Sequence, residues 1–519
     1  MAMKAFSKDA VAQHNKPGDL WVAIDSKVYD VSKFAQMHPG GLAVLLDEEV
    51  AGQDATELFC QLHRMEVLDR YKHLQIGTIA GEEPQLHGHI PGTLSLVPYA
   101  EPTWLTRGYH TPYYKDHHRR FQAAVRRFVE QVVYKDAQAK ERGGGKPSQE
   151  VFDELARLNI VAMHVGAGKH LEGRQLMDGI ISVEEFDVFH ELILNQEFTR
   201  LHARGYEDGL AGGTIIGLPP VIRFAEPALR DKLIEETLSC KKLICLAVTE
   251  AWAGSDVQGI KTRATRTPEG WIVNGAKKWI TNAMFAHYFT VACKQDNGEI
   301  IVLVVERGEG VETRPIQTAY SSSSAGTAYV TFDNVKVPHG NRLGAGHPGL
   351  HIILANFNHE RWVLVSANIS WQRIIYEECF KWANQRKIFG KPLVSQAVVR
   401  QKLAAMISRF ESCQSWLENI TFQMMRMNAK EEAQHLAGQI AFLKMHATRA
   451  SQETAKDAVQ IFGGRGLTQT GMGRFIEHFH RTLLIDAVIS VLTAFTAEDV
   501  LGDLGVRQAL RSMPARARL

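Results

Sequence analysis

The spacing of apolar positions changes several times along the chain, and each change predicts a different kind of element. Trp21, Val22, Ala23 and Ile24, then Val28, Tyr29 and Val31, flank an Asp25-Ser26-Lys27 turn, which predicts two short strands entering a helix capped by Ser32. Residues 82–112 show neither period. They hold five of the 17 prolines (Pro84, Pro91, Pro98, Pro102, Pro112), the composition of an extended, semi-rigid linker. From 113 to 245 the spacing is three to four, as in Phe121, Val125, Phe128, Val129 and Val132, and predicts helices. Between 246 and 345 the period is two: 270–275 reads as a hairpin-like unit, 288–293 and 300–305 as buried strands. Beyond 346 helical spacing returns through Leu403, Met406, Ile407 and Phe410, and again through Ile440, Leu443 and Met445. No internal repeat is visible.

Composition narrows the class. A length of 519 residues suggests three or four domains. A hydrophobic content of 45% with 22% charge fits a globular protein with large cores. The net charge of +2 gives no concentrated basic face for nucleic acid. No apolar run is long enough to span a bilayer, and the N-terminus reads as neither a secretory signal nor a transit peptide. Six cysteines without CxxC pairs (Cys60, Cys240, Cys245, Cys293, Cys379, Cys413) read as buried thiols of a reducing compartment. The run from Arg142 to Ser148 lacks phosphate-loop spacing and has Pro147 after its lysine, so an interhelical loop is expected.

Two histidines carry the first candidate chemistry. His38 opens a His-Pro-Gly-Gly run, and His63 follows 25 residues later, behind Ala51-Gly52-Gln53-Asp54-Ala55-Thr56-Glu57-Leu58-Phe59. Pro-Gly-Gly alone is turn chemistry. With the flanking strands, however, residues 4–81 resemble cytochrome b5. The resemblance implies that His38 and His63 are axial ligands of haem b, with Phe34, Val44, Leu45 and Phe59 lining the pocket. An iron capped twice by imidazole has no open position, so it relays single electrons.

A second constellation sits where the period changes. It comprises Val248-Thr249-Glu250-Ala251-Trp252-Ala253-Gly254-Ser255-Asp256, Lys278-Trp279-Ile280-Thr281-Asn282, His359-Glu360-Arg361, Arg386-Lys387-Ile388-Phe389-Gly390 and Gln460-Ile461-Phe462-Gly463-Gly464-Arg465-Gly466. In this order and spacing they resemble the acyl-CoA dehydrogenase family over residues 113 to about 505. The resemblance implies a multidomain α+β chain. A cytochrome b5-like domain (1–81) and linker (82–112) precede a helical domain (113–245), a middle β-barrel domain (246–345), a C-terminal four-helix bundle (346–510) and a tail (511–519). It further implies that Thr249, Ser255, Trp279 and Thr281 hold the FAD ring. Arg386, Phe389, Gln396, Gln460, Gly463 and Gly464 would hold its adenosine and diphosphate across a homodimer or homotetramer, although the Arg386-to-Gln396 spacing is one residue short. An arginine fork and paired glycines suit a diphosphate.

Oxidation of an acyl-CoA to its 2,3-enoyl form needs a carboxylate base opposite the flavin. The family's late-loop glutamate is missing: the alignment puts Ser490 or Ala494 there, and neither takes a proton. Glu360 matches the family's second position, as in the long-chain and isovaleryl branches, and is the expected base, with Asp486 and Glu498 as fallback carboxylates. The shared chain suggests electron transfer from flavin to haem, or to an external acceptor. An oxygen-using oxidase of the same fold, acting on an acyl-CoA or nitroalkane-like substrate, and a non-catalytic flavin/haem scaffold stay open.

Other polar residues make poor metal or catalytic sites. His478 and His480 are two apart on a helix and face different ways. His117-His118 and His87/His89 are expected in solvent, as is the basic tail of Arg507, Arg511, Arg516 and Arg518. Ala517-Arg518-Leu519 resembles a peroxisomal address, with cytosol as the alternative.

Overall fold

The computed structural model describes residues 4–63, 66–84, 90–254, 256–318, 322–468 and 471–478. The chain divides into two compact units, Met1–Ile90 with Glu378–Leu403, and Pro91–Glu377 with Ala404–Leu519.

The first unit carries a five-stranded sheet of β1 (Lys4–Phe6), β2 (Asn15–Lys16), β3 (Asp19–Ile24), β4 (Lys27–Asp30) and β5 (Gln75–Ile79), in the order β1-β5-β4-β3-β2. The β3–β4 hairpin turns on Asp25 and Ser26, both left-handed (φ 52° and 61°), the geometry that matches strand twist. Alternation along β3 sends Leu20, Val22 and Ile24 to one core and Ala23 to the other. Four short helices complete the domain: α1 (Lys8–Ala12), α2 (Leu42–Leu45), α3 (Thr56–Leu62) and α4 (Glu66–Arg70). Ser32 does not cap a helix as its sequence position suggested. Its Oγ accepts the Leu20 N–H at 2.8 Å and ties β4 to β3, while the next 3₁₀ turn, Ala35–Met37, has no side-chain cap.

In the second unit α5 (Asp116–Phe128) passes through a π-helical turn, Val129–Val133, into α6 (Tyr134–Gly143). The wider turn rotates the face: Val132, expected in the core, is exposed, and Val133 is buried instead. The run 143–148 is an interhelical loop ending at Ser148, whose Oγ caps the next helix through the Val151 N–H. Helices α7 (Gln149–Arg157), α8 (Ile160–His164), α9 (Val188–Phe198), α10 (Arg204–Glu207), α11 (Gly213–Gly217), α12 (Pro219–Phe224) and α13 (Pro227–Leu238) follow. α9 is buried all round from Phe189 onward, the mark of a central helix. Residues 91–112, read as an extended linker, instead pack into this unit. Trp104 stacks on Tyr114, and buried Glu101 and Glu197 grip Arg126 at 2.6 and 2.8 Å.

The middle sheet comprises β6 (Ile244–Ala247), β7 (Arg263–Arg266), β8 (Gly270–Ile280), β9 (Tyr288–Lys294), β10 (Ile300–Glu306), β11 (Val311–Pro315), β12 (Ala328–Pro338) and β13 (Arg342–Leu343). Its path is β11-β12-β8-β7-β9-β10-β13, with β6 on β9. The expected barrel is therefore an open sheet. Its ends do not pair among the described residues, because β13 is two residues long and bonds to β10 alone. The unit at 270–275 is the first half of the 11-residue β8, and its hairpin closes at the Thr267 N–H to the Gly270 carbonyl. Glycines at 213 and 217 let the preceding helices touch the β6 backbone, and Gly209 lets them approach the 3₁₀ turn Ser323–Ala325. A Cβ on each would lie within 2.8 Å of Ser324, Asn282 or Cys245.

The C-terminal part is α14 (Gly349–Leu354), α15 (Phe357–Gln385), the hairpin β14 (Lys387–Ile388) and β15 (Lys391–Pro392), α16 (Ala397–Met424), α17 (Ala429–His435) and α18 (Ala437–Phe462). Residues 471–478, also helical, are the last described. Cys60 is half-buried and the other five cysteines are buried, all as free thiols. No helix among the described residues is long and apolar enough to cross a membrane.

Candidate functional site

In the first unit, His38 and His63 face each other with ring centroids 5.9 Å apart. Two imidazoles bound to one metal at about 2 Å each place their centroids about 6 Å apart, so the pair leaves room for one iron. His38 Nδ1 donates to the Gly41 carbonyl at 3.4 Å, which leaves the ring's lone pair on Nε2 for a metal. The two glycines have separate duties. A Cβ on Gly40 would lie 2.8 Å from the His38 ring, and Gly41 turns left-handed at φ 84° to start α2. Phe59 stacks on His63 and Phe34 meets His38 edge-on. Phe34, Leu45 and Phe59 pack on the core while staying half-covered, and Val44 is 39% exposed, so an apolar wall awaits a flat hydrophobic group. These residues fit haem.

In the second unit Thr249 and Trp279 are neighbours, because the Lys278 N–H donates to the Thr249 carbonyl at 2.9 Å. Trp279 takes a left-handed conformation (φ 66°) that few bulky residues adopt, and its ring is 51% exposed. Thr281 comes next, half-buried. Sequence reading missed the residue that pins this turn. Buried Asn282 (φ 63°) accepts the Gly213 N–H through Oδ1 at 2.6 Å and donates to the Ala325 carbonyl at 3.1 Å. It also missed the fully buried pair beneath, Glu250 with Lys277 at 2.8 Å. Burial opposes the charge on Glu250, but Lys277 and hydrogen bonds from Lys261 and Thr262 hold its pKa below the usual range. Glu250 lay inside a quoted motif, so its charge was the available signal; Lys277 was hidden by a strand's length of sequence.

Gly463 and Gly464 follow α18 with open space where a Cβ would stand, and Gln460 is exposed one turn earlier. Arg386, Phe389 and Gln396 belong to the first unit. Phe389 sits at the β14–β15 turn with φ 50° and 93% exposure, while Arg386 and Gln396 are half-buried. Exposed aromatic faces and open glycine backbone are what a flavin dinucleotide requires, so within the second unit Trp279, Gly463 and Gly464 fit FAD, and within the first an arginine beside an exposed aromatic suits a diphosphate and its base. Ser255, Asp486, Glu498, His480, Ser490, Ala494 and the tail from 511 lie outside the described residues.

Glu360 stands in the first turn of α15, partly buried, and its Oε1 is closed off from solvent with no hydrogen-bond partner among the described residues. Burial raises its pKa to about 7 against the opposing pull of His359, Arg361 and Asn356. A carboxylate so placed accepts protons at neutral pH.

Of the histidines expected in solvent, His87 and His89 lie outside the described residues, and His117 and His118 are corrected. His118 and His190 are buried, and with half-buried His117 their ring nitrogens lie within 4.8 Å of one another. His118 Nδ1 accepts the Lys115 N–H at 2.9 Å, so its Nε2 carries the proton donated to Asp187 at 3.1 Å. His118 thus has no lone pair left for a metal. His190 bonds Asp187 at 2.9 Å and His117 at 3.0 Å. Burial lowers the pKa of His190 to about 4, so its ring caps α9 as a neutral group, while His118 caps α5 through the Lys115 N–H.

Family models match in tandem: the Cytochrome b5-like Heme/Steroid binding domain over 7–80, then the acyl-CoA dehydrogenase N-terminal, middle and C-terminal domains over 115–241, 245–335 and 347–490. The chain is 34% identical over 438 residues to acyl-CoA dehydrogenase apdG of Emericella nidulans, spanning 82% of this chain and 98% of that protein. It is 23% identical to the mitochondrial isovaleryl-CoA dehydrogenase of Pongo abelii, over 69% of this chain and 82% of that one. Butyryl-CoA dehydrogenase from Megasphaera elsdenii shares the fold at TM-score 0.65 and 21% identity, over 77% of this chain and 100% of that one. An acyl-CoA dehydrogenase from Bacillus anthracis complexed with FAD does so at 0.68 and 22%, over 78% and 69%.

Proposed function

The chain belongs to the acyl-CoA dehydrogenase family, with a cytochrome b5-like domain ahead of the family's three domains, and on that premise we propose that it oxidises an acyl-CoA thioester to the 2,3-enoyl-CoA with Glu360 as base. It is an oxidoreductase acting on a CH–CH bond. Bound FAD supplies the acceptor for the substrate's β-hydride, and bound haem b supplies a one-electron carrier for onward transfer.

The chain's own groups do the rest. Glu360 takes the α-proton, and the carboxyl it becomes loses little by burial because it is then neutral. Thr249 and Ser255, with Trp279 and Thr281 from the turn that Asn282 makes rigid, would hold the flavin ring. Arg386, Phe389, Gln396, Gln460, Gly463 and Gly464 would hold its adenosine diphosphate, shared between subunits of a homodimer or homotetramer. His38 and His63 would hold the iron from both sides.

The observation that carries this reading is the buried, unpartnered Oε1 of Glu360, with a pKa near neutrality. Anaerobic titration of the holoprotein with acyl-CoAs of graded length tests it. At least one bleaches the flavin, and Glu360→Gln binds it without bleaching; a flavin untouched by every acyl-CoA contradicts the reading. Parallel oxygen uptake separates a dehydrogenase from an oxidase. Ala517-Arg518-Leu519 supports a peroxisomal address, and imaging a tagged chain with and without it checks that.

A further inference from the structure

A second carboxylate lies behind the turn that bears Glu360. His359 Nε2 is 2.6 Å from Glu191 Oε1, and the Glu191 side chain is only 3% exposed. Glu191 projects from α9, the helix buried on every side, so water cannot stabilise its charge. Among the described residues His359 is its one side-chain partner. The loop after α8 closes over the pair: Gly166 turns at φ 93°, and a Cβ there would lie 3.0 Å from Glu191 Oε2 and 3.9 Å from His359 Nε2. Glycine adopts this left-handed turn without strain and without pushing the carboxylate aside.

A buried carboxylate with a single imidazole at that distance keeps the imidazole protonated. We propose that Glu191 and His359 are positioning residues for the base: Glu191 holds His359 as a cation, and that cation keeps neighbouring Glu360 ionised at neutral pH. This rests on the reading of Glu360 as the base.

The surrounding charges are consistent with it. Burial pushes His359 down, but the charge and hydrogen bond of Glu191 outweigh it and leave the pKa raised. On its own helix Glu360 faces His359 and Arg361, with the Asn356 amide beside it. His359 faces Glu191 from α9, Arg223 from α12 and Glu432 from α17. Arg361 stays charged throughout the working range even though burial lowers its pKa. His359 is therefore the cation beside Glu360 that can be switched off.

The test is the pH profile of acyl-CoA-dependent flavin bleaching in the holoprotein. Glu191→Gln keeps the shape and removes the charge, and should move the acid limb up by about one pH unit. That is about tenfold slower at pH 6 relative to pH 9. His359→Gln, a second route if the first variant folds poorly, should move it the same way, and the double variant no further than His359→Gln alone. FAD content and flavin spectrum report folding. An acid limb that stays in place in both variants overturns the proposal, as does a rate loss equal at every pH, which marks a merely structural role. Glu360→Gln separates the two readings. If it is inactive while the limb of Glu191→Gln is unmoved, only the pair's role fails; if it stays active, the base assignment fails first.

Discussion

A base that removes a proton from carbon works best when its pKa lies near the working pH, and burial brings Glu360 to about 7. The ionised form is the active one, so activity rises with pH through that value and falls on acidification. Replacing the carboxylate with an amide, as in Glu360→Gln, should lower kcat by about 10²–10⁴-fold, as stopped-flow flavin bleaching would read. At the haem end, Gly40→Ala drives a methyl into the His38 ring, 2.8 Å away. The expected outcome is loss of the haem Soret band with FAD retained, visible in one absorption spectrum. His38 stood out in the sequence because turn residues and candidate ligand share one short motif, and His63 because it follows at the spacing of the same resemblance. Glu191 and His359 were not, since 168 residues separate them and only the fold brings a carboxylate of α9 to α15.

Elements were legible where their period was regular. The helices and the strands at 288–293 and 300–305 announced themselves, whereas the π turn at Val129–Val133 carries no composition that sets it apart from α-helix. It can be tested by a pair of substitutions. Val133→Ala removes a fully buried side chain and should cost roughly 2 kcal/mol, while Val132→Ala should stay within about 0.5 kcal/mol, measured by denaturant unfolding. The flavin-side turn has a similar weak point. An alanine at Gly213 would place its Cβ 2.6 Å from Asn282 Oδ1 and 2.7 Å from the Ile244 carbonyl. Gly213→Ala should therefore release FAD more readily, read as a faster loss of flavin on dilution.

At the scale of the whole molecule, buried imidazoles set an acid limit. Burial lowers the pKa of His164 to about 4, its Nδ1 paired with Asn195 at 3.1 Å. The unfolded chain binds a proton there below about 6.5, and the native one does not until about 4. Stability is thus full near neutrality and falls as pH drops through that window, by roughly 3 kcal/mol from this group. His190 adds loss of the same sign, and the denaturant midpoint followed from pH 7 to 4 measures it. The tandem order of domains was legible because each brings its own motif, but the packing of 91–112 was not, because its buried Glu101–Arg126 contact has no sequence period. The central claim joins the two redox groups in one route. Anaerobic addition of a bleaching acyl-CoA to the full holoprotein tests it directly: the flavin bleaches and the haem is then reduced, as a shift of its Soret band reports. A flavin that bleaches while the haem stays ferric would contradict it.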